Sequence, residues 1–335
     1  MPTGKDVAKK AGVSVATISR YLNNVGTVAS ETKTRIQSAI NELNYKPNLI
    51  ARSLKLRSTK SIGLIFPDLE DPFYSFLVNK AEEVAYNDGY NVILCHTEYK
   101  LEKEKLYIEI LKKKFIDGYL IIPIIKNAEH YEFLKNEKVV TVDRSSGMKN
   151  EILIKTDNNA GVNSGVEYLI SLGHKRIGVI NLPLNMTTGF ERVESYKRTL
   201  SNHNIKLNDS LIKFAEQYNL VESSYDKTLE LLKLEKSPTA IFPMNGPTTI
   251  GALKAIKKLN LRIPDDISII GFDELFFAEL LDPPLTTIAQ PVYELGTTGM
   301  KTLLKIIKSK KYKRNQVFTL QPKLIVRNSC KDISN

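Results

Sequence analysis

The sequence predicts an α/β protein with an N-terminal three-helix helix-turn-helix head, a short hinge helix, and a larger body built from two doubly wound parallel sheets. Three observations predict it: basic charge is concentrated in the first 60 residues, residues 5–43 have helical periodicity, and strands alternate with helices from Ser61 onward. The 335 residues suit two or three folded units. The expected divisions are a head over 1–46, a hinge helix and linker over 47–60, a first lobe formed by 61–157 plus 291–321, a second lobe over 158–290, and a C-terminal tail over 322–335.

The charge of the chain is unevenly distributed. Residues 1–60 contain 11 basic and 3 acidic side chains, so they carry +8 of the formal net charge of +11. A small basic head on a nearly neutral body indicates a module that binds a polyanion. A solvated basic tail is the alternative, but the pattern of apolar residues in this region argues against it.

The first two helices of the head are short and are separated by a glycine. Val7, Ala8 and Ala11 form one apolar face, and Gly12 is placed to end that helix in a left-handed turn. Ser14 can cap a second helix over Val15–Leu22. Two helices joined in this way indicate a helix-turn-helix unit.

A third helix completes the predicted head. Ser30 can cap it, and its apolar side chains recur at helical spacing; they are Ile36, Ala39, Ile40 and Leu43. In a helix-turn-helix unit the second helix enters the major groove and presents its first residues to base edges. Here the residues in that position are Val15, Ala16, Thr17 and Arg20.

The segment Lys5–Arg20 resembles, almost residue for residue, the head of the lactose/galactose repressor family (LacI/GalR). The segments Tyr45–Asn48 and Ala51–Lys55 are similar to that family as well, and the resemblance continues along essentially the whole chain. Within it, Asp68–Ser75 and Pro283–Ile288 look nearest to the ribose-repressor branch. The resemblance implies operator DNA as a partner, with contacts expected from Lys5, Val15, Ala16, Thr17, Arg20, Asn48, Ile50, Arg52, Leu54 and Lys55.

The linker is predicted to form a helix only on DNA. Asn48–Lys55 can make about two turns with Ile50 and Leu54 on one face, and eight residues are too few for a stable isolated helix. From spacing alone, these two side chains could equally pack the head against the body. The family resemblance instead makes Leu54 a wedge in the minor groove, with Arg52 and Lys55 near phosphates or groove edges.

The body reads as two successive runs of alternating strands and helices. The first run has strands Ile62–Phe66, Val92–Cys95, Gly118–Ile122 and Val139–Val142, with helices Phe73–Asn87, Leu101–Lys113 and Glu129–Asn136. The second has strands Ile177–Ile180, Ala240–Phe242 and Ile267–Gly271, with helices Glu191–His203, Ser223–Leu232 and Thr248–Leu259. Two such runs predict two lobes with a cleft where strand ends meet. The family resemblance implies the periplasmic-binding-protein architecture for them, with crossings near 156–159, 288–291 and 317–321.

Strand ends and family matches together select candidate ligand-binding residues. They are Phe73, Tyr74, Asp143, Arg192, Tyr218, Asn245 and Asp273. Aromatic faces can cover a sugar ring while Asp, Asn and Arg bond its hydroxyls, so a sugar or sugar phosphate is the expected effector. Each residue alone also has a structural explanation: the aromatic pair could be core, Asp143 a helix cap and Asn245 a cap only. Two departures from the family pattern, Gly246 and Ser195, leave the identity of the sugar open.

Other classes of protein fit the sequence less well. There is no phosphate-binding loop, zinc-protease motif or nucleophile elbow, so an enzyme is not expected, and neither is a cofactor or a metal. No apolar run approaches the ~18 residues of a membrane span, and the two distant cysteines suit a reducing compartment, so we expect a cytoplasmic protein without a membrane partner. A periplasmic solute-binding protein would share the body but lack the basic head. Because one small head offers few base contacts, a homodimer is expected, with Asp71–Val84 in its interface.

Overall fold

The computed structural model describes residues 2–23, 26–45, 58–309 and 312–334. The chain forms two compact units, Met1–Thr59 and Lys60–Asn335. The segment predicted as a hinge helix lies outside the described residues, and so do its candidate DNA contacts: Asn48, Ile50, Arg52, Leu54 and Lys55.

The head contains three helices, α1 (Gly4–Ala11), α2 (Val15–Asn23) and α3 (Ser30–Glu42). Helix α1 begins with a capping box between Thr3 and Asp6, and it ends at Gly12, whose φ of +64° lies in the left-handed region. The prediction for Ser14 is confirmed, because its hydroxyl accepts the Thr17 N–H at 3.1 Å. Local side-chain and backbone signals therefore set both ends of the turn between α1 and α2.

The prediction that Ser30 caps α3 is wrong. Ser30 is the first helical residue, and the N-cap position belongs to Ala29, whose side chain accepts no hydrogen bond. The Ser30 carbonyl accepts the Thr34 hydroxyl at 3.2 Å, inside the first turn. The helix is instead stabilised by packing, since Ile36 and Ala39 are buried and Ile40 and Leu43 are partly buried. The buried side chains that the head shares among its three helices are Val7, Ala8, Ala11, Ile18, Val28, Ile36 and Ala39.

The body contains two six-stranded sheets. Its strands are β1 (Ser61–Phe66), β2 (Asn91–His96), β3 (Gly118–Ile121), β4 (Val139–Val142), β5 (Ile152–Thr156), β6 (Ile177–Asn181), β7 (Ile212–Phe214), β8 (Ala240–Pro243), β9 (Ser268–Phe272), β10 (Thr286–Ala289), β11 (Gln316–Leu320) and β12 (Lys323–Ile325). The first sheet has the order β2-β1-β3-β4-β5-β11 and the second the order β7-β6-β8-β9-β10-β12. All pairings within them are parallel except that of β12 with β10. The predicted fold class is confirmed.

Seven long helices cover these sheets in the described part of the body. They are α4 (Pro72–Asn87), α5 (Leu101–Lys113), α6 (Asn158–Ser171), α7 (Thr187–Asn202), α8 (Leu220–Leu232), α9 (Gly246–Lys258) and α10 (Val292–Lys308). Three single-turn 3-10 helices lie at Glu132–Leu134, Asp209–Leu211 and Ala278–Leu280. No described helix has the length and apolarity needed to span a bilayer.

The prediction of a helix over residues 129–136 is wrong, since only Glu132–Leu134 is helical and it forms a single 3-10 turn. The side chain of Asn127 accepts the N–H groups of Glu129 and His130 at 3.0 and 3.3 Å. That local turn competes with helix formation. The buried Tyr131 also donates to Glu104 of α5 at 2.9 Å, which anchors this segment as an irregular connection.

The C-terminal residues differ from the expected tail. Residues 323–325 form β12, which pairs antiparallel with β10, and Ser329 accepts and donates hydrogen bonds beside Ile269 of β9. Ile333 donates its backbone N–H to Leu172 at 2.8 Å. The last residues are therefore an edge of the second lobe, whereas β11 belongs to the sheet of the first lobe.

Candidate functional site

The exposed face of α2 has the composition expected of a DNA-reading surface. On α2, Ala16 and Arg20 are exposed and Val15 is 50% exposed although it is apolar; Lys5 is exposed on the neighbouring α1. Thr17 is half-buried, and its hydroxyl lies 2.9 Å from that of Ser14. A methyl-bearing and a guanidinium side chain on the first turns of such a helix can contact thymine methyl groups and guanine edges.

The second candidate site lies where strands of both lobes end. Asp143 directly follows β4 of the first lobe, and Asp273 directly follows β9 of the second. Both have left-handed backbones, with φ of +66° and +79°. Such conformations cost free energy for residues other than glycine and concentrate at functional sites. The carboxyl ends of parallel strands are where ligands of open α/β sheets bind.

Arg192 of α7 lies at the centre of this site and is only 2% exposed. Its Nε donates to the Asn158 side chain at 2.8 Å, and another guanidinium nitrogen donates to the Met244 carbonyl. The guanidinium carbon lies 3.8 Å from the centroid of the Phe272 ring. Burial lowers the pKa of Arg192, and the nearby Asp273 and Asp143 oppose that effect.

Asp273 organises the surrounding backbone. Its Oδ2 accepts the Gly246 N–H at 2.8 Å, and its Oδ1 accepts the Gln290 side-chain amide. Asn245 caps α9, since its Oδ1 accepts the Thr248 N–H at 2.9 Å within a capping box. Asn245 therefore acts as a helix cap, and ligand binding by this residue stays a prediction.

Aromatic side chains form the wall contributed by the first lobe. Phe73 and Tyr74 begin α4 and are buried in its core, with ring centroids 5.2 Å apart in an edge-to-face arrangement. The Tyr74 hydroxyl lies 3.4 Å from that of Tyr99. Both tyrosines point their polar ends at the charged cluster while their rings fill the core.

Arg144 is a site residue that the sequence analysis missed. Its guanidinium is 2% exposed, and it donates to Asp143 at 3.2 Å, to the Pro123 carbonyl at 3.3 Å and to the Tyr74 hydroxyl. It lies 5.7 Å from the ring centroids of both Tyr74 and Tyr99. Its position directly after the strand-end Asp143 was the available signal, because a buried carboxylate needs a partner.

Asp71 is the second missed residue. It caps α4 by accepting the Phe73 N–H at 3.0 Å, and the Asp-Pro pair at a helix start was the signal for this role. Burial, together with the charge of Asp273 from the other lobe, raises the pKa of Asp71 to about 8. Burial also raises the pKa of Asp143, against the opposing effect of Arg144.

Six of the seven predicted ligand residues are buried, and two of them, Phe73 and Asp273, line a common cavity. Asp71, Phe73, Gly246, Asp273 and Gln290 line the same small cavity of about 40 Å³ between the lobes. The seventh predicted residue, Tyr218, is 71% exposed. It lines a separate cavity of about 550 Å³ at the mouth of the cleft, which both lobes also form.

Replacing Asp71 with Asn is expected to change how stability depends on pH. The folded wild type keeps the Asp71 proton up to a pKa of about 8, whereas the unfolded chain releases it near 3.8. The folded protein therefore gains stability from holding the Asp71 proton. This gain in the free energy of unfolding is complete below pH 3.8, decreases by up to about 1.4 kcal/mol per pH unit as the pH rises, and is lost above pH 8.

The Asp71→Asn variant should lack this decrease while keeping the helix cap, since Asn caps as well as Asp. Urea unfolding of both proteins between about pH 5 and 9 measures the difference. Parallel curves for wild type and variant would show that Asp71 is ionised throughout.

Two protein-family models match the chain. Residues 3–48 match the family of bacterial regulatory proteins of the lacI type, and residues 166–330 match the periplasmic binding protein-like domain. The repressor PurR of Histophilus somni is 35% identical over 99% of this chain and all of its own length. The ribose operon repressor of Halalkalibacterium halodurans is 35% identical over 100% of this chain and 99% of its own.

Solved structures agree with the sequence comparison. A lac repressor dimer bound to operator and an anti-inducer is similar with a TM-score of 0.84 at 26% identity, covering 98% of this chain and 99% of that one. A complex of the regulator CelR with cellobiose is similar with a TM-score of 0.73 at 25% identity, covering 98% and 100%. These relatives are transcriptional regulators rather than enzymes. The chain belongs to the lacI family of bacterial regulatory proteins, and it is a transcriptional regulator with a DNA-binding helix-turn-helix head and an effector-binding body.

Proposed function

We propose that the protein represses a carbohydrate-utilisation operon and that a sugar or sugar phosphate bound between its lobes controls operator binding. The observation that carries this proposal is the buried cluster in which Asp143 and Tyr74 of one lobe meet Arg192 and Asp273 of the other. Charged hydrogen-bonding groups beside aromatic rings suit a polyhydroxylated ring. A ligand that contacts both lobes favours their closed arrangement.

The names of the relatives do not choose between classes of ligand. One relative is named for the ribose operon and another structure contains cellobiose, whereas several relatives are named PurR. Because the PurR and ribose relatives are both 35% identical, the ribose-repressor branch stays a prediction. Binding to chromosomal DNA makes the cytoplasm the proposed location.

The test is a gel-shift experiment on the full chain. A duplex is first selected by the protein from random-sequence DNA, and its affinity is then measured with and without each of a panel of pentoses, hexoses, their phosphates and purines. A change in affinity with a sugar or a sugar phosphate supports the proposal, in either direction, since the effector can release DNA or promote binding. A response to purines alone would contradict the carbohydrate assignment.

We further propose that the protein acts as a homodimer on a pseudo-palindromic operator. Tyr293 of α10 is 51% exposed, and its ring centroid lies 5.7 Å from that of Phe76 of α4. Lys80 lies above the same ring at 6.0 Å. Tyr293 therefore presents an exposed ring beside the partly exposed Phe76 of α4. This surface supports the predicted interface over Asp71–Val84, because aromatic side chains are enriched in interface cores.

Substituting Tyr293 with Lys is expected to weaken this dimer, because it removes apolar contact area and places a second positive charge beside Lys80. Sedimentation equilibrium at micromolar concentration should give a dimer for wild type and a larger monomer fraction for the variant. Phe115→Lys, a change at another exposed aromatic residue outside α4 and α10, is the matched control and should stay dimeric. A wild-type monomer, both free and on DNA, would contradict the proposal.

A further inference from the structure

The hydrogen-bond donors of the two arginines at the base of the cleft are largely used within the protein itself. Arg144 is paired with Asp143, and its three nitrogens donate to that carboxylate, to Pro123 and to Tyr74. Arg192 donates to the Asn158 side chain and to the Met244 carbonyl, so at least two of its guanidinium nitrogens are already used within the protein. A bound phosphate normally needs arginine or lysine groups that are free to form charged hydrogen bonds with it.

The helix N-termini at this site are occupied as well. Free N–H groups at helix N-termini are the usual binding place for phosphate. Here the side chain of Asp71 accepts the Phe73 N–H of α4 at 3.0 Å. At α9, Asp273 accepts the Gly246 N–H at 2.8 Å and Asn245 accepts that of Thr248 at 2.9 Å. These three N–H groups are therefore already used within the protein and are not available to a bound phosphate.

The mouth of the cleft is acidic. The residues that line its 550 Å³ cavity include five carboxyl side chains and a single lysine; these are Asp68, Glu70, Asp71, Glu98, Glu222 and Lys100. Glu98 is paired with that lysine at 2.6 Å and also with Lys103, and Glu222 is paired with Lys254. Asp68 and Glu70 are therefore the exposed or partly exposed acidic side chains of this cavity that pair with no lysine in the described part of the chain. Clefts lined by one sign of charge concentrate ligands of opposite sign and repel those of the same sign.

We propose that this cleft binds an uncharged, polyhydroxylated ligand and selects against the phosphorylated form of the same molecule. The proposal rests on the proposed function and narrows its ligand class from a sugar or sugar phosphate to the free sugar. Hydroxyl groups can both donate and accept hydrogen bonds at Asp273 and Asp143, whereas the oxygens of an ionised phosphate group can only accept them. The raised pKa of Asp71, caused by burial and by Asp273, is consistent with an environment that opposes further negative charge.

The test compares matched pairs of ligands on the full chain by isothermal titration calorimetry. The pairs are ribose with ribose 5-phosphate, glucose with glucose 6-phosphate, and fructose with fructose 6-phosphate. In any pair that binds, the free sugar is expected to bind at least about tenfold more tightly. The affinity of the phosphate should increase with added salt, since salt screens repulsion, while that of the free sugar should not change.

A charge-reversal variant separates electrostatic exclusion from simple lack of space. Glu70 lines the mouth of the cleft and is exposed, so Glu70→Lys should reduce the difference in affinity between a free sugar and its phosphate. Glu235→Lys makes the same change at an exposed position that does not line this cavity, and the difference in affinity should stay as in wild type. An unchanged difference in the Glu70 variant together with salt-independent binding would overturn the electrostatic origin of the selectivity.

The outcomes also distinguish this inference from the proposed function. Equal or tighter binding of a phosphorylated member would overturn the inference and leave sugar-controlled operator binding intact. Failure of every pair to bind, with a purine binding instead, would contradict the carbohydrate function and this inference with it.

Discussion

Replacing Asp273 with Asn is expected to raise the sugar concentration needed to affect operator binding, while leaving operator affinity without sugar unchanged. Asp273 is buried at the end of β9, and its carboxyl oxygens accept hydrogen bonds from Gly246 and Gln290 at the cleft. Loss of a hydrogen bond to a charged group costs about 1.5–3 kcal/mol, which is roughly a 10- to 150-fold loss of sugar affinity. Calorimetry with the sugar and gel shifts with the selected duplex measure the two quantities separately.

The choice of Asn follows from the backbone. Asp273 has a φ of +79°, a conformation that Asn tolerates and that Ala adopts only at a cost. Asp209→Asn, at an exposed carboxylate of the same lobe, is the matched control and should respond like wild type. If the Asp273 variant responds to the same sugar concentrations as wild type, the ligand lies elsewhere.

Arg20→Ala is expected to weaken binding to the selected duplex by about 1–3 kcal/mol, or roughly 5- to 150-fold, if Arg20 makes a bidentate base contact. Arg20 is exposed on α2 and forms no ion pair within the described part of the head, so its guanidinium is available to DNA. Loss of a base contact should also reduce the preference for the selected duplex over a scrambled one. Fluorescence anisotropy with both duplexes measures affinity and preference together.

The control for Arg20 is a second exposed cation in the head. Lys33 lies on α3, outside the predicted recognition helix, so Lys33→Ala removes the same charge from a different surface. Its effect should be smaller and equal on both duplexes. Equal losses for the two variants, with the preference for the selected duplex retained, would mean that Arg20 supplies charge and not base recognition.

Local signals explain why much of this architecture could be predicted from the sequence. Gly12 and Ser14 define the turn of the head through their own backbone and side-chain preferences. The strands of the body are short apolar runs bounded by polar residues. Their positions in the sequence and the residues that follow them could therefore be predicted. The predicted Asp143 and Asp273 follow directly from those ends.

Elements that depend on tertiary packing could not be predicted in the same way. Helix α6 was missed because its glycines and asparagines disfavour a helix locally. In the fold, a Cβ at Gly165 would lie 2.8 Å from Phe242, and one at Gly161 would lie 3.1 Å from Phe272. Glycine is therefore needed for close packing against the second sheet, and that requirement is not visible in the sequence.

The missed site residues have a similar cause. Arg144 and Asp71 owe their roles to partners that are distant in sequence: Tyr74 for the arginine, and Asp273 of the opposite lobe for the aspartate. The Ser30 cap failed for a different reason, since packing of Ile36 and Ala39 stabilises α3 without a side-chain cap.

The most direct test of the account is whether sugar and operator influence each other's binding by the same factor. The affinity of the selected duplex is measured with and without saturating sugar, and the affinity of the sugar is measured on free and duplex-bound protein. If sugar binding in the cleft controls DNA binding by the head, the two ratios are equal, and each affinity changes by about 5- to 150-fold. Two ratios of one, for a sugar that binds the protein, would show that the cleft does not regulate DNA binding.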